Sequence, residues 1–167
     1  MLDICKLGDE ILRCKATDIE KIDSSLSVLA DAMFETMYEA NGVGLAGPQV
    51  GVDKRIFVID IGNGDKYCFI NPVILTTTDD ECLHEEGCLS IPGVYAKIRR
   101  PSGLKVQARN LEGKLFTLEA DGLLARAIFH EYDHLDGKLF IDKMAPEDRA
   151  FLLKQYESRN KKGRRKK

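Results

Sequence analysis

Residues 104–137 read LKVQARNLEGKLFTLEADGLLARAIFHEYDHLDG, and the fold is decided there. Leu104-Lys105-Val106-Gln107-Ala108 alternates apolar and polar residues, the period of a half-exposed strand. Asn110-Leu111-Glu112-Gly113 carries turn chemistry and Lys114–Ala120 returns, which predicts an antiparallel hairpin. Asp121 is then a helix N-cap, and the helix behind it spans about 122–135 and stops near Gly137. A hairpin feeding directly into a helix argues against a doubly wound parallel sheet, in which strands and helices alternate.

Working outward, the runs Arg55–Ile61, Tyr67–Leu75 and Val94–Arg99 read as further strands. Ahead of them Leu26, Leu29, Ala30, Met33 and Met37 share one face of a helix over about 25–40, with Ser24 and Ser25 as candidate N-caps. Gly42 is placed for the left-handed residue beyond its end. On the other side Pro146 suits the first turn of a last helix over about 146–158. The expected class is α+β, with mainly antiparallel sheets around the central 122–135 helix, an N-terminal helix and a C-terminal helix. Residues 1–158 are expected to form one domain, and residues 159–167 a disordered basic tail.

Charge supports that division. The chain has 167 residues and a formal net charge of −2, but residues 159–167 hold seven bases and no acid, so the rest carries −9. Hydrophobic content of 44% and charged content of 31% exclude a disordered chain. No apolar run approaches the roughly 20 residues of a membrane span. The start, Met-Leu-Asp-Ile-Cys-Lys, lacks the apolar core of a signal peptide. The cysteines Cys5, Cys14, Cys68, Cys82 and Cys88 are odd in number and irregularly spaced, with no Cys-x-x-Cys pair. A reduced, cytoplasmic setting is expected, and Cys5, Cys14, Cys68 and Cys82 are read as small buried hydrophobes.

His130-Glu131-Tyr132-Asp133-His134 matches His-Glu-x-x-His. Four helical residues turn about 400°, so both imidazoles project to one side, one turn apart. They can share one metal ion, with Glu131 beside it as a general base. Chance supplies the three fixed residues in roughly 2% of chains this long. A catalytic ion normally has three protein ligands and one open position. The third is either His84, the remaining histidine, or Cys88; spacing does not choose between them.

Three segments now stand together. Gly42-Val43-Gly44-Leu45-Ala46-Gly47-Pro48-Gln49, Glu86-Gly87-Cys88-Leu89-Ser90 and His130-Glu131-Tyr132-Asp133-His134-Leu135-Asp136-Gly137 resemble, in order and spacing, the three motifs of peptide deformylases. The resemblance runs from about Leu7 to the last helix. It implies an enzyme that removes the N-terminal formyl group from formyl-methionyl nascent chains and releases formate. It makes Cys88, His130 and His134 the metal ligands, Glu131 the catalytic base and acid, and Gln49 and the Leu89 N–H the oxyanion donors. It implies Fe²⁺ as the native ion, with Zn²⁺, Ni²⁺ or Co²⁺ able to substitute. Two residues depart from the family's pattern: Gly47 stands where Ala is usual, and Phe129 where Gln is usual. Gly47 is expected to loosen the loop carrying Gln49, and Phe129 to change packing without touching the chemistry.

Formamide hydrolysis requires a nucleophile, oxyanion stabilisation and a proton for the departing amine. A metal-activated water supplies the first, the Gln49 and Leu89 donors the second, and Glu131 moves the proton. Leu123, Arg126 and Ala127 precede His130 by seven, four and three residues and share its face. With Val43 and Gly44 they are the candidate substrate-binding residues, enclosing the methionine side chain. The stem of Arg126 is expected to line the pocket and its guanidinium to reach the rim. A zincin-type metallopeptidase shares the helix motif, but no histidine follows His134 to complete it. A Cys-His hydrolase built on Cys88 would survive chelation. A nucleic-acid-binding module built on the tail is disfavoured by the acidic body, which repels phosphate. A narrower partner is ribosomal RNA at residues 159–167; no membrane or DNA partner is expected.

Overall fold

The structure is a computed structural model and describes residues 1–165; residues 166 and 167 of the basic run lie outside it. Among the described residues the order is α1 (Ser24–Glu39), β1 (Gly44–Ala46), β2 (Ile56–Ile59), β3 (Tyr67–Thr77), β4 (Glu81–Cys88), β5 (Ile91–Pro101), β6 (Gly103–Arg109), β7 (Leu115–Asp121), α2 (Gly122–Leu135) and α3 (Pro146–Arg165). Strands β1-β2-β3-β6-β7 form one antiparallel sheet and β4-β5 a separate antiparallel pair. The class is α+β, as the 104–137 stretch implies. No described helix is long and apolar enough to cross a membrane.

The burial of β2 explains how the layers stack. All four residues of Ile56-Phe57-Val58-Ile59 are inaccessible, because the large sheet carries a helix on each face. Alternate side chains divide between the two. Ile56 and Val58 pack with Met33 and Met37 of α1, while Phe57 and Ile59 pack with Ala125 and Ile128 of α2. Phe129 joins the α2 side of that core, the packing role expected of it. A third cluster seats α3 on β5 through Leu152, Tyr156, Ile91, Val94 and Ile98.

Several local readings are corrected. The N-cap of α1 is Asp23, whose side chain accepts the Ser25 N–H, not Ser24 or Ser25. At its other end Asn41, with φ 58°, takes the left-handed conformation expected of Gly42. The Asn41 N–H donates to Tyr38 O and the Gly42 N–H to Met37 O, a Schellman closure. Gly42 is small for another reason: a Cβ there would stand 2.7 Å from Leu89 Cδ1. Strand β4 was not anticipated, and α3 runs on to Arg165 rather than stopping at 158. In that extension Arg159 donates to the Gly93 carbonyl. Cys14 is exposed and Cys5, Cys68 and Cys82 only partly buried; all five thiols are free.

Gly47 behaves in the opposite sense to the expected loosening. A Cβ there would lie 2.8 Å from Lys54 O and 3.0 Å from Val52 O, so the backbone of the following loop is packed onto it. Gly47→Ala is therefore expected to destabilise the fold by about 1–3 kcal/mol, read as a lower urea midpoint with unchanged slope. An unchanged midpoint would mean that the loop can retreat at no cost.

The N-terminal segment ties the core to the site. Cys5 N–H donates to Gln49 O, Leu7 N–H to Ser90 O and Ala16 N–H to Leu135 O. Gly137, at φ 73°, ends the turn after α2, where a Cβ would sit 2.5 Å from Arg13 O.

Candidate metal centre

Helix α2 presents His130 and His134 one turn apart, with ring centroids separated by 5.1 Å. The end of β4 brings Cys88 to them: its Sγ lies 3.3 Å from His134 Nε2. Ligand atoms of Cys88, His130 and His134 all fall within 4.8 Å of one another. Tetrahedral bonds of about 2.0–2.3 Å place N and S donors about 3.3–3.6 Å apart; the Cys88–His134 pair already has that spacing, and the group could hold one ion. His84, the alternative third ligand, is exposed on β4 and outside the group.

Glu86 is the site residue the sequence reading missed. Its Oε1 lies 2.9 Å from His130 Nδ1, and its carboxylate also accepts from Arg100 and Arg126. An ionised carboxylate only accepts, so Nδ1 carries the proton and Nε2 keeps its lone pair for a metal. One signal was available: Glu86 stands two residues before Cys88, and strand alternation brings such residues to one face. Asp133 extends the cluster, accepting from the second arm of Arg100 at 3.0 Å.

The same ion pairs hold the Glu86 carboxyl low. Burial alone would raise it, but hydrogen bonds from His130 and Arg100 outweigh burial and hold it at about 2, against 4.5 ordinarily. A carboxylate depressed in the folded state stabilises the fold above its unfolded value. That contribution, about 3 kcal/mol here, is lost as pH falls from about 4.5 toward 2. Acid unfolding is expected to steepen in that window. In Glu86→Gln the steepening should be absent; an identical acid profile would refute it.

Glu131 is 2% exposed, and its carboxyl is pushed up to about 7 chiefly by burial, with the Glu86 charge adding and the His130 charge opposing. It lies against Gly44, where a Cβ would stand 2.9 Å from Oε2. Burial would lower His130, yet hydrogen bonds to Cys88 and Glu86 and the charge of Glu131 raise it well above its ordinary value. Surroundings that favour a proton on that imidazole also favour a cation beside it. Burial pushes His134 well below its ordinary value, with the Arg100 and Arg13 charges acting the same way, which keeps it neutral, as a ligand must be.

Gln49 is 1% exposed and held at both ends of its amide. Oε1 accepts the Ala46 N–H at 2.9 Å, and Nε2 donates to Ser90 Oγ at 3.2 Å and faces Cys88 Sγ at 3.6 Å. Leu89 follows Cys88 and packs its side chain on Gly42. A cleft of about 500 Å³ opens above these groups, and Val43, Gly44, Leu123, Arg126 and Ala127 all line it. Val43 is 42% and Leu123 54% exposed, leaving apolar surface for a ligand to cover. Arg126 departs from expectation: it lines the cleft, but its guanidinium turns inward to Glu86 and the Ile98 and Cys82 carbonyls, not to the rim.

A buried carboxylate beside Cys88, His130 and His134, which could hold a metal ion, on the floor of an open cleft is the arrangement of a candidate metal-dependent hydrolase. Comparison with known proteins narrows the class. The polypeptide deformylase family model matches residues 1–150. The peptide deformylase of Clostridium botulinum (strain Alaska E43 / Type E3) is 55% identical over 141 residues, covering 84% of this chain and 95% of that protein. That of Agrobacterium fabrum is 47% identical over 154 residues, covering 90% and 91%. The crystal structure of a peptide deformylase from Legionella pneumophila superposes with a TM-score of 0.94 at 40% identity, covering 99% of this chain and 98% of that one. One from Synechococcus elongatus, in complex with actinonin, gives 0.90 at 42%, covering 92% and 86%. The chain belongs to the polypeptide deformylase family, metal-dependent enzymes that remove the formyl group from nascent peptides.

Proposed function

We propose that Cys88, His130 and His134 hold the metal ion and that Glu131 is the base and acid of formyl-methionyl peptide hydrolysis. The observation that carries this is the buried Glu131 carboxylate beside the three clustered ligand atoms. A divalent ion bound there lowers the pKa of water and polarises a carbonyl oxygen. Glu131 accepts the proton of the attacking water and delivers it to the peptide nitrogen as the C–N bond breaks, freeing the amine and formate. The Gln49 Nε2 and the Leu89 N–H donate to the oxyanion. Gln49 is suited to this because its other amide end is fixed by Ala46. The methionine side chain fills the space between Val43, Gly44, Leu123, Ala127 and the stem of Arg126; its unbranched thioether adapts to such a groove.

Fe²⁺ is the proposed native ion, with Zn²⁺, Ni²⁺ or Co²⁺ able to replace it; one thiolate and two imidazoles suit all four. Five free thiols are in keeping with a reducing, cytoplasmic setting. The test is formate release from formyl-Met-Ala by anaerobically purified protein with its metal content measured. Release that stops on chelation and returns with Fe²⁺ or Ni²⁺ supports the reading. Activity that survives chelation, or cleavage of unformylated peptides instead, refutes it.

The basic run 159–167 is proposed to contact ribosomal RNA, supported by its seven bases on an otherwise acidic chain. Deleting residues 160–167, which spares Arg159 and its bond to Gly93, is expected to weaken ribosome co-sedimentation about tenfold or more at low salt, with formyl-Met-Ala turnover unchanged. Equal co-sedimentation of the two forms would exclude it.

A further inference from the structure

Arg126 makes more contacts than a pocket wall needs. It is 6% exposed, and its Nη1 donates to Glu86 Oε2 at 2.6 Å and to Ile98 O at 2.9 Å. Its Nη2 donates to Cys82 O at 3.0 Å and faces Cys82 Sγ at 3.5 Å. One side chain of α2 is thus bonded to the backbone of both β4 and β5. Glu86 does not require it for charge balance, because Arg100 already grips both carboxylate oxygens, at 2.6 and 3.0 Å. What Arg126 adds is geometry. Helix α2 supplies two atoms of the candidate metal group and β4 the third, so the spacing of these elements sets the site. Arg126 spans that spacing one turn before His130 and closes on the carboxylate that orients His130.

Resting on the deformylase reading of the site, we propose that Arg126 is a positioning residue for the metal centre: its guanidinium holds Glu86, and through it His130, while its stem walls the pocket for the first substrate side chain. The one residue then links the substrate's side-chain subsite to the orientation of a metal ligand. Lysine cannot replace it, because a single ammonium lacks the planar fork that reaches a carboxylate and two carbonyls together.

Arg126→Met keeps an unbranched apolar stem and removes every donor, leaving Glu86 paired with Arg100. The measurement is metal loss from Co²⁺-loaded protein to a chelator, followed by its absorption spectrum, with kcat and KM for formyl-Met-Ala alongside. Metal loss is expected to quicken by about 10–100-fold. The value of kcat should fall with KM staying within about threefold. Arg126→Lys should recover only part of either loss. Glu86→Gln should give a loss of the same order, and the double variant should be no worse than Glu86→Gln alone. Unchanged metal loss with only KM raised would leave Arg126 a pocket wall and overturn the proposal, as would additivity of the two substitutions. If Arg126→Met does not fold, Arg126→Lys carries the same comparison, and wild-type metal retention in it is the overturning result. The chelator arm needs no substrate. A wild type releasing no formate would therefore sink the deformylase reading while the metal-loss comparison still decides the positioning role.

Discussion

Glu131→Gln is expected to lower kcat/KM for formyl-Met-Ala by about 10²–10⁴-fold with metal content unchanged. The substitution is isosteric, so the close packing on Gly44 survives, where a Cβ would already stand 2.9 Å from Oε2. What is lost is the ability to accept a proton and return it. Position and proton affinity both matter here. Burial raises the carboxyl's proton affinity and a bound cation would oppose that rise, so the group can take a proton from water and then surrender it to an amine. Retention of full activity by the amide would show that another group moves the proton, and the proposed mechanism would fall.

Replacing Gln49 tests the second half of the chemistry. Gln49→Leu should cost about 10²–10³-fold in kcat, the usual loss for one oxyanion donor. It should also cost some stability, because the Ala46 N–H is left without its buried acceptor. Gln49→Glu keeps the acceptor for Ala46 but its carboxylate has no amide hydrogens to donate, so activity should fall as far; stability falls too, because the buried charge has no cationic partner among the described residues and faces Cys88. If Gln49→Glu kept wild-type kcat, the donor role would be refuted, and Gln49 would be a brace between β1 and the Cys88–Ser90 segment.

The difference between what was legible in the chain and what was not follows from where the information is stored. Helix α2 occurs over residues 122–135, as expected, because a hydrophobic period and a glycine after it act locally; Asp121 holds the N-cap position, but its side chain makes no capping hydrogen bond. The turn at Asn110–Gly113 was equally readable: Gly113, at φ 82°, donates to the Asn110 carbonyl. Strand β4 was hidden because its sequence, Glu-Cys-Leu-His-Glu-Glu-Gly-Cys, has no apolar alternation, and its one fully buried side chain is Glu86. That burial is tolerated only because Arg100, Arg126 and His130 arrive from other elements. The motif resemblance brought out Cys88 and Gln49 but not the ionic cluster behind them. Gly47 differs from expectation for a related cause: the residue alone implies freedom, whereas the constraint comes from the carbonyls of Val52 and Lys54.

The bonds that hold the first residues of the chain bear on the order of its birth. Ala16 meets Leu135, and the Arg13 backbone meets Gly137, across more than a hundred intervening residues. Synthesis proceeds from the N-terminus, so the opening segment leaves the ribosome long before Leu135 and Gly137 exist. The strap over Gln49 and Ser90 can close early, but the anchor at the foot of α2 cannot. Such distant closures are late and slow compared with helix and hairpin formation. The enzyme must therefore complete its own site after residue 137 has emerged, and the newborn chain spends most of its synthesis with residues 13–16 unmoored.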